Sequence, residues 1–316
     1  MRILAAGGAG FIGGHLVRRL LEQGHDVVVV DNLSTGRPET VQGLRHHPGF
    51  SFIEQDVART PDVPCDAIIH LASPASPVHY SRIPMATMSA NAFGAWRLLE
   101  IAKGQGARLL FVSTSEIYGD PLVHPQPEEY WGNVDPVGPR ACYDESKRFG
   151  EALVMAARGE LGIQANIVRL FNIYGPGMAL DDGRVVPEMI ASALRGEAVL
   201  IHGDGLQTRS FCYVDDLVDA MVRVLEDAEI DGQILNIGNP EEVTILSLAS
   251  RIVGMVGAGP IVHVPGRPGD PGRRMPVITR FTGRYGWTPS TALDEGLRAT
   301  ISDLSARLGI AMPRRA

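Results

Sequence analysis

Tyr143 and Lys147 stand four residues apart in a stretch that reads as a helix, so both side chains fall on one face. A free phenol titrates near ~10 and is a poor base at neutral pH, but a neighbouring ammonium favours the phenolate. Lys147 can do this while its remaining donors hold a ribose. It is one of only two lysines, with Lys103, in a Lys+Arg total of 29. The spacing alone is equally that of an ordinary amphipathic helix, so its weight comes from what else the chain carries. Ser113-Thr114-Ser115-Glu116-Ile117-Tyr118-Gly119 closes an apolar strand, the place where open α/β sheets put their ligands. There Thr114 would hydrogen-bond a substrate hydroxyl, and Glu116, beside Ser115, would be an active-site carboxylate rather than a solvated acid.

A second group of residues suits a dinucleotide. Gly7-Gly8-Ala9-Gly10-Phe11-Ile12-Gly13 follows the first strand and opens the first helix. Gly7 permits the tight turn, Gly10 lets backbone approach a pyrophosphate, and Gly13 lets helix pack on strand, with the helix N-terminus facing the phosphates. Asp31 ends the second strand, where a carboxylate meets a ribose 2′-hydroxyl and repels a 2′-phosphate. NAD is therefore expected over NADP, with Arg37 as the nearby cation that would favour the phosphate. Asn32 follows that acid, Asp56-Val57 after the third strand would reach the adenine, and Leu71-Ala72-Ser73 after the fourth would line the cofactor's middle.

The elements that must position these groups alternate short β-branched runs with amphipathic stretches, the pattern of a Rossmann-like, doubly wound parallel sheet. Strands are expected at Arg2–Ala5, Asp26–Asp31, Phe50–Glu54, Ala67–His70, Arg108–Ser113 and Gln164–Leu170, with helices at Ile12–Gln23, Asn91–Lys103 and Tyr143–Glu160. Beyond Phe171, helices are expected at Val185–Arg195 and Val214–Leu225, and a strand at Ile234–Ile237 that returns to the sheet. This gives a dinucleotide-binding domain over 1–171, rejoined by 211–238, and a smaller α/β substrate-binding domain over 172–210 and 239–316. Gly257–Pro276 reads as a loop from its glycines and prolines, either a surface connector or a lid.

The 316 residues are 45% hydrophobic and 21% charged, within the soluble globular range. A formal charge of -7 argues against gripping a nucleic-acid backbone. No apolar run reaches the ~20 residues of a membrane helix, and the first residues pass straight into the glycine cluster, so no membrane partner and a cytoplasmic chain are expected. Cys65, Cys142 and Cys212 lack metal-site or disulfide spacing and read as inert thiols, and no metal is expected.

The glycine motif, Asp31, Thr114-Ser115-Glu116, Tyr143 with Lys147, and Asn172-Ile173-Tyr174-Gly175-Pro176 together resemble the extended short-chain dehydrogenase/reductase superfamily of sugar-nucleotide epimerases, dehydratases and decarboxylases. Longer strings narrow the likeness. His70-Leu71-Ala72-Ser73-Pro74-Ala75-Ser76-Pro77, Glu129-Tyr130-Trp131-Gly132, Gly138-Pro139-Arg140-Ala141-Cys142-Tyr143-Asp144-Glu145 and Asp182-Gly183-Arg184-Val185-Val186 are similar to the UDP-glucuronate decarboxylases, and the likeness covers nearly the whole chain. The resemblance implies that Asn172, Val186, Gln207 and Arg209 help hold UDP, with Tyr80 and Arg184 also on the substrate. It implies Asn91 on the cofactor side and Arg274, in Asp270-Pro271-Gly272-Arg273-Arg274, facing the substrate carboxylate. Arginine suits that task because its planar fork meets carboxylate oxygens in pairs. Ser89, Gly177, His202 and Met275 depart from the family pattern, and the departures point to the nucleotide end.

The reaction so implied starts with Tyr143 taking the sugar's 4-hydroxyl proton as hydride leaves carbon 4 for a retained NAD⁺. The 4-ketone makes the uronate a β-keto acid, which loses CO₂. Thr114 and Tyr143 would stabilise the enolate, Glu116 with Arg274 or water would manage protonation at carbon 5, and return of the hydride gives UDP-xylose. A dTDP-glucose 4,6-dehydratase shares the first step, but its relatives carry Asp-Glu where this chain has Ser115-Glu116. UDP-sugar 4-epimerases usually lack the acid. A non-catalytic NAD sensor has no use for Tyr143 and Lys147. A homodimer through the helices at 91–103 and 143–160 is expected from the family's habit.

Overall fold

The computed structural model describes residues 1–180, 183–266 and 272–310. Its centre is a seven-stranded parallel sheet formed by β1 (Arg2–Ala6), β2 (Asp26–Asp31), β3 (Phe50–Glu54), β4 (Ala67–His70), β5 (Arg108–Thr114), β6 (Ala165–Leu170) and β7 (Ile234–Ile237). Their order is β7-β6-β5-β4-β1-β2-β3. Valines 27 to 30 are all buried because helices cover both faces, which is why the run shows no polar alternation. The order reverses direction between β1 and β4, the crevice where a doubly wound sheet binds ligands.

Helix α1 (Phe11–Glu22) buries Leu16, Val17, Leu20 and Leu21 against the sheet, and helices α2 (Ala95–Gln105) and α3 (Ala141–Leu161) cover the other face. Helix α4 (Val214–Glu226) carries the chain back to β7, so the expected return to the sheet is present. The other helices include α5 (Ile245–Val256) and α6 (Leu293–Leu308), which join residues 185–194 around a separate core of Ile190, Leu248, Ile252 and Leu304. Ile278, Phe281 and Trp287, assigned from the sequence to the substrate-binding part, instead pack into the core of the sheet.

Two expectations need correction. The helix expected from Asn91 begins earlier in the chain: Pro84–Ser89 is helical, Ala90–Gly94 is a π turn, and α2 starts only at Ala95. The stretch 257–276 is not a loop throughout. Ile261–Val264 pairs in parallel with Val199–His202, and Arg273–Arg274 pairs with Thr208–Arg209. A β-branched run outweighs its glycine and proline surroundings. Residues 267–271 of that stretch, with Asp270, and Asp182 lie outside the described residues.

Candidate active site

The glycine turn meets its expected constraints. Gly7 has φ +84°, and a Cβ there would stand 2.4 Å from the Ala72 amide nitrogen. A Cβ on Gly13 would stand 2.4 Å from the Gly7 carbonyl oxygen. Gly10 caps α1 without any side chain, so the first-turn amides keep no side-chain acceptor, and this positive helix end opens on a cavity with Gly7, Phe11, Ile12, Leu71 and Ser73 in its wall. Asp31 accepts the Ala9 amide at 3.0 Å and the Leu33 amide at 2.9 Å, which fixes its carboxylate at the rim of the turn. These features fit a dinucleotide.

Other expected cofactor residues are placed differently. Asn32 donates to Asp56 at 3.2 Å and Asp56 caps the turn at Val57, but none of these three, nor Ala72, is in the cavity wall. Asn91 is fully buried and donates to Ser146 Oγ at 2.9 Å, so it braces α3 from behind. Arg37 donates to the Gly177 carbonyl at 3.2 Å, and both residues line this first cavity.

Strand β5 delivers Thr114, whose side chain accepts the Glu116 amide at 3.2 Å and caps the short turn Ser115–Tyr118. Helix α3 delivers Tyr143 and Lys147 against it. Burial pushes the Tyr143 phenol well above its ordinary value, only partly offset by its hydrogen bond with Thr114. Burial also pulls Lys147 down to about 7, opposed by the Glu151 carboxylate. Lys147 Nζ donates to the Val112 carbonyl at 2.8 Å. Behind it Glu151 accepts from Ser113 Oγ at 2.5 Å and is paired with Arg169 at 2.7 Å, an internal brace between β5, β6 and α3. The protein alone thus supplies a neutral, buried phenol, and the expected ammonium assistance is weakened by the same burial.

A second cavity adjoins the first, and Glu116, Tyr143, Asn172 and Arg184 belong to both walls. Its lining adds Tyr80, Arg140, His202, Gln207, Arg209 and Arg274. Val186 is in the wall of the first cavity. Tyr80 stacks on Tyr143 with ring planes 5° apart and centroids 5.3 Å apart. Glu116 receives one guanidinium from each side, Arg140 Nη2 on one oxygen and Arg274 Nη1 on the other. Burial raises the Glu116 carboxyl, but Arg274 and Arg140 outweigh it and hold it below the usual carboxylate range. Arg274 also donates to the Gly119 carbonyl at 2.8 Å. Sequence reasoning misses Arg140 as a partner of Glu116, although it lies three residues before Tyr143 in a string singled out for its likeness. Its neighbour Asp144 is driven up to about 7 by burial and by Glu116. All three cysteines are free, and burial raises their thiols. Among the described residues no acidic, histidine or cysteine cluster fits a metal, and no helix is long and apolar enough to cross a membrane.

A parallel doubly wound sheet, a glycine turn at its switch point and a Tyr/Lys helix facing that turn define a dinucleotide-binding protein of the short-chain dehydrogenase type. The chain belongs to the NAD dependent epimerase/dehydratase family, whose model matches residues 3–238. It is 47% identical over 312 residues to UDP-glucuronic acid decarboxylase 5 of Arabidopsis thaliana, covering 98% of this chain and 91% of that protein. Among solved structures it is similar to the UDP-glucose 4-epimerase of Thermotoga maritima in complex with UDP-glucose, at TM-score 0.88 and 31% identity over 98% of this chain and 100% of the other. The UDP-glucuronic acid 4-epimerase of Bacillus cereus, in complex with UDP-glucuronic acid and NAD, matches at TM-score 0.88 and 28% identity over 97% and 100%.

Proposed function

We propose that this protein decarboxylates UDP-glucuronate to UDP-xylose through a 4-keto intermediate, with NAD retained as the hydride carrier. The observation that carries the reading is Glu116, held between Arg140 and Arg274 at the junction of the two cavities and beside Tyr143. The 47% identity to a plant decarboxylase supports it over the epimerases that share the fold at 31% and 28%.

Bound NAD would accept a hydride at the start and return it at the end, and its cationic ring would favour ionisation of Tyr143. Tyr143 removes the 4-hydroxyl proton, with Thr114 holding the same oxygen. Lys147, Asp31 and the turn at Gly7, Gly10 and Gly13 hold the cofactor, with Phe11, Ile12, Leu71 and Ser73 lining its site and Asn32, Asp56, Val57, Ala72 and Asn91 supporting it. Once carbon 4 is a ketone, loss of CO₂ leaves an enolate oxygen where Thr114 and Tyr143 can donate to it. Glu116 then serves protonation at carbon 5, kept in register by Arg274 and by the neighbouring Ser115. Asn172, Arg184, Val186, Gln207 and Arg209 hold the UDP, with Tyr80 packed over the sugar end; four arginines in the second cavity's wall suit a substrate with a diphosphate and a carboxylate.

Residues 172–210 and 239–316 would form the nucleotide-sugar-binding part. The exposed side chains Phe93, Trp96 and Phe149 lie along the helices that carry the expected homodimer contact. Free cysteines accord with a cytoplasmic setting. The reading is tested by offering the purified protein UDP-glucuronate, dTDP-glucose and UDP-glucose in parallel with NAD. A UDP-pentose from the first alone is the expected result, and a 4-keto-6-deoxy sugar from dTDP-glucose would replace the decarboxylase with a dehydratase.

A further inference from the structure

The two arginines on Glu116 differ in burial. Arg274 has a side chain only 3% exposed and is tied to both Glu116 and the Gly119 carbonyl. Arg140 is 29% exposed, lines the second cavity beside Tyr80 and Tyr143, and touches a second carboxylate, Asp144 Oδ2, at 3.7 Å from its Nε. The other oxygen of Asp144 is buried without a hydrogen-bond partner. The Arg140 backbone is nonetheless rigidly placed, because its carbonyl accepts the Tyr143 amide at 3.0 Å and the Asp144 amide at 3.1 Å at the start of α3. The cavity's other arginines have different surroundings: Arg184 lies over the Phe11 ring at 5.8 Å and Arg209 donates to the Thr208 carbonyl at 2.8 Å.

We propose that Arg140 recognises the carboxylate of the sugar by leaving Glu116 for it, so that Glu116 and the substrate compete for one guanidinium. The inference rests on the decarboxylase reading and adds to it a residue and a sequence of events. With Arg140 turned to the substrate, Glu116 keeps only Arg274 close by, with Arg209 and Asp144 at longer range, and can take a proton from water. When the bond from carbon 5 to the carboxylate breaks, its electron pair passes into the 4-ketone as an enolate and CO₂ leaves. Arg140, now without its anion, returns to Glu116, which gives its proton to carbon 5 as the enolate collapses to the ketone. One solvent proton is consumed for each CO₂ released, as the overall reaction requires.

The test compares UDP-glucuronate with UDP-xylose, which has the same nucleotide and no carboxylate, by calorimetric titration of the NAD-loaded protein. A Tyr143→Phe background keeps UDP-glucuronate intact. Adding Arg140→Gln should weaken UDP-glucuronate about tenfold or more and UDP-xylose less than about twofold. Adding Glu116→Gln alone should tighten UDP-glucuronate, and that gain should shrink when Arg140→Gln is also present. Equal losses for the two ligands, no loss for either, or a gain from Glu116→Gln that is the same with and without Arg140 would overturn the proposal. If Arg140→Gln does not fold, Arg140→Lys must show the same ligand preference in smaller measure. A parent protein that makes no UDP-xylose would instead overturn the reaction assigned above, and the two failures are thereby distinguished.

Discussion

The cavity beside β1 and the cavity across Tyr143 from it are built on opposite principles. The first is shaped by missing side chains: Gly7 and Gly13 leave no room for a methyl group, and the site presents backbone amides and a helix end. The second is shaped by charge carried in from distant segments, with Glu116 from the end of β5, Arg140 from the start of α3, and Arg209 and Arg274 from two paired short strands. A backbone site tolerates no added atom but is indifferent to many surface changes. An arginine-lined site can be retuned one charge at a time. Tyr143 lies in both walls and belongs to both principles.

Changes at that junction should therefore have the largest effect. Tyr143→Phe is expected to lower kcat by about 10²–10⁴-fold while NAD still binds, measured as UDP-pentose formation against cofactor content. An unchanged rate would remove Tyr143 from the chemistry. Glu116→Gln comes next, with a decarboxylation slower by about 10²-fold and cofactor content intact. Loss of NAD in that variant would show that Glu116 belongs to the backbone-shaped cavity after all.

Gly7→Ala tests the first cavity. Its φ of +84° and the 2.4 Å approach to Ala72 predict a loss of about 2–3 kcal/mol in stability together with weakened NAD binding. Thermal unfolding with and without NAD reads both, and a variant with parental values in each would break the account of the turn.

The smallest effect concerns Asp144. Its folded pKa of about 7 lies above the ordinary value of 3.8, so the folded state holds the extra proton between those limits. The stability this contributes is present below about pH 4 and is lost as pH rises through about 7. Asp144→Asn should thus gain on the parent between pH 5 and pH 8, by about 1–2 kcal/mol or a few degrees in Tm. A pH-independent difference would mean that Arg140 already neutralises Asp144 fully.

The same contrast governs what is legible in the sequence. Backbone sites leave local signatures: the glycine spacing, the valine run of β2 and Asp31 at its end all fall within 31 residues, and each lies where the sequence predicts it. The charged site has no such signature. Glu116 meets Arg140 across 24 positions and Arg274 across 158, and only the tertiary fold brings them together. Family likeness reaches Arg274 and leaves the pairing of Arg140 with Glu116 unseen. The resemblance places Asn91 toward the cofactor, and nothing in its spacing reveals the π turn in which it lies or its bond to Ser146. The strand at Ile261–Val264 is hidden because its partner, Val199–His202, lies some sixty residues earlier, whereas the glycines and prolines around it signal a loop locally.

The most direct test follows the carboxyl carbon. UDP-glucuronate labelled with ¹³C at carbon 6 is incubated with the NAD-loaded protein and followed by NMR. Labelled CO₂ and UDP-xylose should appear in equal amounts, with no net build-up of NADH. Retention of the label in a 4-epimerised UDP-uronate, with no CO₂, would contradict the assignment.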